Sequence, residues 1–324
     1  MPPTVEDSRR GPAPDLSVVL VAGSQRVRAQ RVLDALATQT VRDRLEVVVV
    51  DLAEGARERL AVAASLRHTY AVRPDIHRWG RARAEGVRLA TGPVVAFIED
   101  HCFPQPDWAE VLIEAYRGPW DVVGYAFTNA NPRRYVSRAS MLARYGQFTH
   151  PTGRRRAALV SGNNVSYRRP LLLSFGAELE GLLTIDFNLQ EILGRRGAPM
   201  LVEARALAAH QNYSRFRDDS ITGHWYCRLL AARRADTQRW SVARRLIHGV
   251  GAPLGSPAIR LARLLRSLPG RQPLWRDVCL GLPLIAGWYL TDALGESLGY
   301  LLGPGRAEQE ALRWELNEAR ERDA

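Results

Sequence analysis

The chain contains no lysine. All 45 of its basic side chains are arginine, set against 34 carboxylates, for a formal net charge of +11 over 324 residues. A phosphate loop ending in Lys-Ser/Thr is therefore absent, and no strand precedes Gly251 and Gly255, the pair of glycines that comes nearest to one. Arginine has its own use: its planar fork grips phosphate bidentately. A basic balance suits nucleic acid, an anionic membrane surface or an anionic substrate about equally. Cysteine is nearly missing as well. Cys102, Cys227 and Cys279 are far apart and odd in number, which excludes a disulfide framework and points to a reducing compartment. Met1 to Pro14 has no apolar core of the signal-peptide kind; it reads as a flexible lead, and the expected location is the cytoplasm. No repeat or low-complexity tract is visible. Apolar residues at 46% and charged residues at 24% are globular values, so disordered and fibrous classes are excluded. The length allows one large α/β domain with an appendage, or two modest domains.

What is present begins with three apolar runs. Leu16–Ala22, Leu45–Val50 ending at Asp51, and Pro93–Ile98 ending at Glu99 are continuous rather than alternating, as strands of a parallel sheet buried on both faces are. A helical pattern through Leu33, Leu36 and Ala37 separates the first two. Arg83 to Gly92 forms a short helix closed by glycine before the third. The fold class is α/β, with strand ends facing a ligand crevice. Ile185–Leu193 reads as a helix closed near Gly197, and Pro199–Ala206 as extended. The composition shifts near 226: residues 228–276 hold eleven arginines and one acid, Asp236.

Glu99-Asp100-His101 sits at the end of a buried strand, where three polar side chains are costly unless they bind something. Carboxylate and imidazole together suit Mn²⁺ or Mg²⁺ bridging a diphosphate. The alternative is a solvated strand end capping the next helix.

The strand, the triplet and Pro104-Gln105-Pro106-Asp107-Trp108 resemble the FLDDD-x-x-P-x-P-x-W stretch of family 2 glycosyltransferases of the GT-A fold. The resemblance runs from Asp15 to Tyr213. Gly80-Arg81-Ala82-Arg83-Ala84-Glu85-Gly86 resembles the family's G-x-x-x-A-R-N-x-G. Ser161-Gly162-Asn163-Asn164 opens a stretch similar to its acceptor-side G-G-N-x-A-x-R-R, and Asp186 lies in one similar to E-D-x-x-L-x-x-R-L-x-x-x-G. The resemblance implies a Rossmann-like mixed sheet flanked by helices over 15–226, after the lead 1–14. It implies transfer of a single sugar from a nucleotide-diphosphate sugar to a cell-envelope or lipid-linked glycan. Ala22, Gly23, Ser24, Asp51, Arg83, Glu99 and Asp100 would then serve the nucleotide sugar. His101 would bind the metal directly, with Asp100 on ribose or metal and His210 as third ligand; Gly162, Asn163 and Asn164 would face acceptor and sugar. Asp186 would be the base that takes the acceptor proton in an inverting reaction. Departures are Glu99 and His101 at the outer places of the D-x-D motif, Ile185 for the usual Glu, and a missing arginine in the following helix. Asp186 as an N-cap, His210 as a structural histidine, and metal-independent use of the triplet stay open.

Gln238-Arg239-Trp240 lacks the two intervening residues of the processive Q-x-x-R-W signature, which favours single transfer. The region 227–324 reads as helical and membrane-associating. Val278–Leu302 is long enough to span a bilayer, but Asp292, Glu296 and Pro283 are expensive in hydrocarbon, so attachment to the inner-membrane surface from the cytoplasmic side is expected. The alternative is a helical hairpin packed on the protein. Two other functions compete: a catalytically degenerate basic binding or scaffold protein, and a sugar-phosphate nucleotidyltransferase, for which Ala22-Gly23-Ser24-Gln25-Arg26 is a poor loop. No nucleic-acid-binding motif is present.

Overall fold

The computed structural model describes residues 4–8, 12–53 and 59–318. In chain order the elements are β1 (Thr4–Asp7), β2 (Leu16–Ala22), α1 (Arg26–Ala37), β3 (Leu45–Asp51), β4 (Arg67–Val72), α2 (Trp79–Leu89), β5 (Val94–Ile98), β6 (Cys102–Pro104), α3 (Trp108–Ala115) and β7 (Val122–Asn129). Then come α4 (Tyr135–Tyr145), β8 (Arg155–Arg156), β9 (Val165–Arg168), α5 (Arg169–Leu173), α6 (Leu179–Leu182), α7 (Asp186–Arg195) and β10 (Met200–His210). Four helices complete the described residues: α8 (Phe216–Thr237), α9 (Val242–Arg266), α10 (Gln272–Leu302) and α11 (Ala307–Leu316). They form two compact units, Met1–Thr128 with Gly153–His210, and Asn129–Thr152 with Gln211–Ala324. Residue 226, where the composition changes, lies inside α8.

The first unit is a mixed sheet flanked by helices, in the order β1-β4-β3-β2-β5-β9-β7-β10-β6, with β8 on β10. β4, β3, β2 and β5 are parallel, and β9 and β1 join antiparallel. Every residue of β2, β3 and β5 is buried, which is why their sequences are nearly continuous apolar runs; the buried exceptions within the runs, Ser17 and Glu46, hydrogen-bond to each other. Ala22 pairs with Asp51, and Leu20 with Ile98. The carboxyl ends of β2, β3 and β5 therefore open side by side.

Three details differ from the expectations. Thr4–Asp7, read as flexible lead, pairs antiparallel with β4 as an exposed edge strand. α2 begins at Trp79, and Ala90 ends it in an extended conformation rather than a left-handed glycine doing so. Gly92 is needed for a different reason: its N–H donates to Ser17 Oγ at 2.8 Å, and a Cβ there would stand 3.0 Å from the Ser17 nitrogen. β10 runs four residues beyond Ala206, to His210. The closing glycine of α7 is as expected, with Gly197 at φ +81°.

The second unit is helical. Its core gathers Ala139 and Leu142 of α4, Leu264 of α9, and Val278, Ile285 and Trp288 of α10. α10 is long and apolar enough to cross a membrane by length and composition, and 44% of its most apolar stretch is buried within the protein. Its costly acids are paired. Asp292 accepts from Arg144 at 2.6 Å and Arg260 at 3.4 Å, and Glu296 accepts from Arg260. The glycines at four-residue spacing are a packing device, since a Cβ on Gly295 or Gly299 would fall 2.3 Å from a carbonyl oxygen of α8.

Tyr116, Tyr125 and Tyr167 are buried in the first unit, and burial drives all three phenols above their ordinary range. Their folded pKa values exceed the unfolded value near 10, so the stability they hold is complete below pH 10 and lost as pH rises further. Alkaline destabilisation should approach about 4 kcal/mol per pH unit once the unfolded phenols ionise. Tyrosinate absorbance followed beside circular dichroism checks this: these phenols should ionise only as the fold melts. Ionisation of all ten tyrosines near pH 10 with the fold intact contradicts it.

Candidate functional site

The triplet Glu99-Asp100-His101 leaves β5 fully buried. β6 follows at once and pairs antiparallel with the end of β10, His210 opposite Cys102. That register carries His210 beside His101, with ring centroids 4.8 Å apart. Glu99 Oε2 lies 3.3 Å from His210 Nε2 and 3.5 Å from His101 Nε2. The ligand atoms of Glu99, His101 and His210 all fall within 4.8 Å of one another. A buried carboxylate with two imidazoles is a donor set that fits a divalent cation.

Asp100 was expected on ribose or metal, and here it bonds His101 and Arg28. Its Oδ1 sits 2.9 Å from His101 Nδ1, and its Oδ2 accepts from Arg28 Nε at 3.0 Å. Asp100 thus stands behind the imidazole and fixes its ring, as carboxylates do behind metal-bound histidines. Glu99, expected to support the nucleotide, is the carboxylate that faces the histidines.

The loop before β9 ties this cluster to a second one. Asn163 holds φ +59°, a left-handed conformation that asparagine tolerates. Its side chain donates to Glu99 Oε1 at 2.7 Å, and its backbone N–H donates to Asp186 Oδ2 at 2.7 Å. Asn164 brackets Glu99 from the other side: its amide donates to Oε2, and its Oδ1 accepts the Glu99 N–H at 2.9 Å. Gly162 accepts the Asn164 N–H and turns the loop.

Asp186 opens α7 and is fully buried. Arg83 of α2 donates to it at 2.6 Å, and Tyr167 at 3.1 Å. Burial, then the charge of Asp186, keeps the Tyr167 phenol protonated and donating. The Arg83 guanidinium lies 3.9 Å over the Phe97 ring and also reaches the carbonyls of Leu183 and Asn163. Arg83 was expected to serve the nucleotide sugar; its partners here are Asp186, the Leu183 and Asn163 carbonyls and the Phe97 ring.

At the ends of β2 and β3, Ala22-Gly23-Ser24 turns into α1. Ala22 O accepts from Leu52 N, Gly23 O from Arg26, and Ser24 O from Arg26 N. Asp51 accepts both guanidinium nitrogens of Arg26 at 2.8 and 2.9 Å, the Tyr70 hydroxyl at 2.5 Å, and the Ala53 N–H at 3.1 Å. Residues two apart on a helix point opposite ways, so Arg26 and Arg28 leave one turn of α1 toward two strand ends, Asp51 and Asp100. Neither arginine was singled out from the sequence, nor were Tyr70 and Tyr167. Helical periodicity marks which face is apolar, and it carries no signal for which arginines turn inward.

The geometry therefore joins Glu99, Asp100, His101, His210, Asn163, Asn164, Arg83 and Asp186 into one bonded network. Asp51 and the 22–24 turn form a flank reached through α1.

Residues 17–173 match the family model of glycosyl transferase family 2. No curated protein matches the chain. Among solved structures, a mannosyltransferase, PcManGT from Pyrobaculum calidifontis in complex with GDP-Man and Mn²⁺, is similar over 90% of this chain and 87% of its own, at 16% identity and TM-score 0.52. At that identity the likeness is one of fold. A mycobacterial protein is similar over 68% of this chain and 75% of its own, at 20% identity and TM-score 0.46.

Proposed function

On the match of residues 17–173 to the family model of glycosyl transferase family 2, we propose that this protein of GT-A fold moves one sugar from a nucleotide-diphosphate sugar to an acceptor hydroxyl. The observation that carries the reading is the buried set Glu99, His101 and His210 at the carboxyl end of β5, joined through Asn163 to Asp186. Those three side chains hold a divalent metal, Mn²⁺ before Mg²⁺ because two of the donors are imidazoles. When bound, such an ion neutralises the charge of the departing diphosphate. Asp100 orients His101. Asp51 and the Ala22-Gly23-Ser24 turn receive the nucleoside. Gly162, Asn163 and Asn164 border the transferred sugar. Asp186, turned by Arg83 and the Asn163 N–H, takes the proton of the attacking hydroxyl in an inverting displacement. The acceptor is a cell-envelope or lipid-linked glycan, met at the cytoplasmic face of a membrane by the arginine-rich helical unit.

A second reading keeps the nucleotide site and makes Asp186 structural. Its support is specific: Asp186 is fully buried and already accepts from Arg83, Tyr167 and Asn163.

The test is a panel of UDP-, GDP- and dTDP-sugars with Mn²⁺, scored by thermal stabilisation. The matching donor at a hundredfold excess over its Kd should add about 2.7 kcal/mol, several degrees in Tm. If no nucleotide sugar stabilises the protein, the transferase reading fails.

A further inference from the structure

α9 begins at Val242 and is capped by Ser241, whose side chain accepts the Arg244 N–H at 3.3 Å. In its first half, Val242, Leu246, Val250 and Leu254 recur every four residues and so share one face, with Ile247 beside them. These aliphatics are not packed: Val242 is 74% exposed, Ile247 71%, Val250 67% and Leu254 83%. The helix is held by its opposite side, where Gly249 and Ala252 are buried and a Cβ on Gly249 would lie 2.5 Å from Leu301 Cγ. A stable helix thus presents an aliphatic strip of five large side chains to its surroundings, which is unusual for a surface with no partner.

The charges beside the strip decide what covers it. Arg239 and Arg244 are exposed at its start, and Arg263 and Arg266 at the far end of the helix. Asp236 is the single acid between 228 and 276, and it is bonded to Arg245. A second copy of the chain would bring arginine against arginine. Protein interfaces also favour aromatic anchors, whereas this strip is wholly aliphatic. An aliphatic strip rimmed by arginine complements acyl chains beneath anionic headgroups.

We propose that the exposed Val242–Leu254 face of α9 is the surface by which this protein lies on an anionic lipid bilayer. The proposal deepens the membrane part of the function stated above and is independent of its transferase part. α9 lies flat in the headgroup region, and its aliphatics enter the acyl boundary while the flanking arginines meet phosphates. α10 stays packed in the helical unit, its acids held by Arg144 and Arg260.

Full-length protein, without donor or acceptor, is to be sedimented with vesicles of phosphatidylcholine alone and with one third phosphatidylglycerol. Binding should require the anionic lipid and reverse in high salt. Ile247→Asp with Val250→Asp should weaken binding by roughly a hundredfold, because each side chain forfeits burial worth about tenfold. Arg239→Ser with Arg244→Ser should weaken it by roughly fivefold per arginine. The four positions are exposed, so unchanged circular dichroism and melting confirm the variants are folded. Equal binding to both vesicle types overturns the proposal, as does wild-type affinity in the Asp variant. Association that resists high salt and alkaline carbonate in both proteins also overturns it, in favour of α10 crossing the bilayer. A dimer in gel filtration that the Asp variant splits, with no vesicle binding, would assign the strip to a second copy. Donor-induced stabilisation is read separately, so loss of either result leaves the other standing.

Discussion

His101→Ala is expected to abolish Mn²⁺-dependent donor stabilisation and to lower kcat/KM about a thousandfold, a loss of about 4 kcal/mol. The size follows from the donor set. Glu99 and His101, just past β5, and His210, at the end of β10, are the three side chains proposed as ligands, and removing one leaves two donors and a buried gap. Asp100→Asn provides the internal comparison. It keeps the shape beside His101 Nδ1 and Arg28 but removes the charge behind the ring, so metal affinity should fall about 10–100-fold rather than vanish. Metal titration by calorimetry separates the two. Wild-type Mn²⁺ affinity in His101→Ala removes His101 from the metal site, whatever happens to activity.

Asp186→Asn should reduce kcat by about 10²–10⁴-fold with little change in KM, if Asp186 takes the acceptor proton. The same substitution removes the counter-charge of Arg83, which is itself buried. Breaking one side of such a pair costs about 3–5 kcal/mol of stability. The two readings of Asp186 therefore part on a double measurement. A base loses turnover at a temperature where the variant is folded and still binds donor. A purely structural aspartate loses stability and regains normal kcat once the folded fraction is restored by cooling. Arg83→Met with Asp186→Asn removes both charges together. It should recover much of the stability and none of the turnover of a missing base.

Much of this molecule was legible in its residues, and the illegible parts share a cause. β2, β3 and β5 could be read because burial on both faces leaves a nearly continuous apolar run. Glu99 to His101 stood out because polar side chains end such a run. The roles within the triplet were not readable, since they depend on side-chain directions set by Arg28 and by the register of β6 with β10. Arg26 and Arg28 look like any solvated helix start until the ends of β3 and β5 are placed beside them. Asp292 and Glu296 looked prohibitive in an apolar helix for a similar reason. Their partners, Arg144 and Arg260, lie in other helices, the first 148 positions away from Asp292. Gly295 and Gly299 are where α10 approaches the α8 backbone, a contact that the sequence of α10 alone does not show.

The pairing of β6 with β10 has a consequence for how the protein is made. His101 and His210 are 109 positions apart in sequence, and they meet only when the strands carrying them close that stretch of chain. Such a non-local contact is formed late, after the entropy of a long loop has been surrendered. During synthesis the first histidine leaves the ribosome well before the second. A cation proposed to sit among Glu99, His101 and His210 would therefore require a chain whose β6–β10 register is already formed.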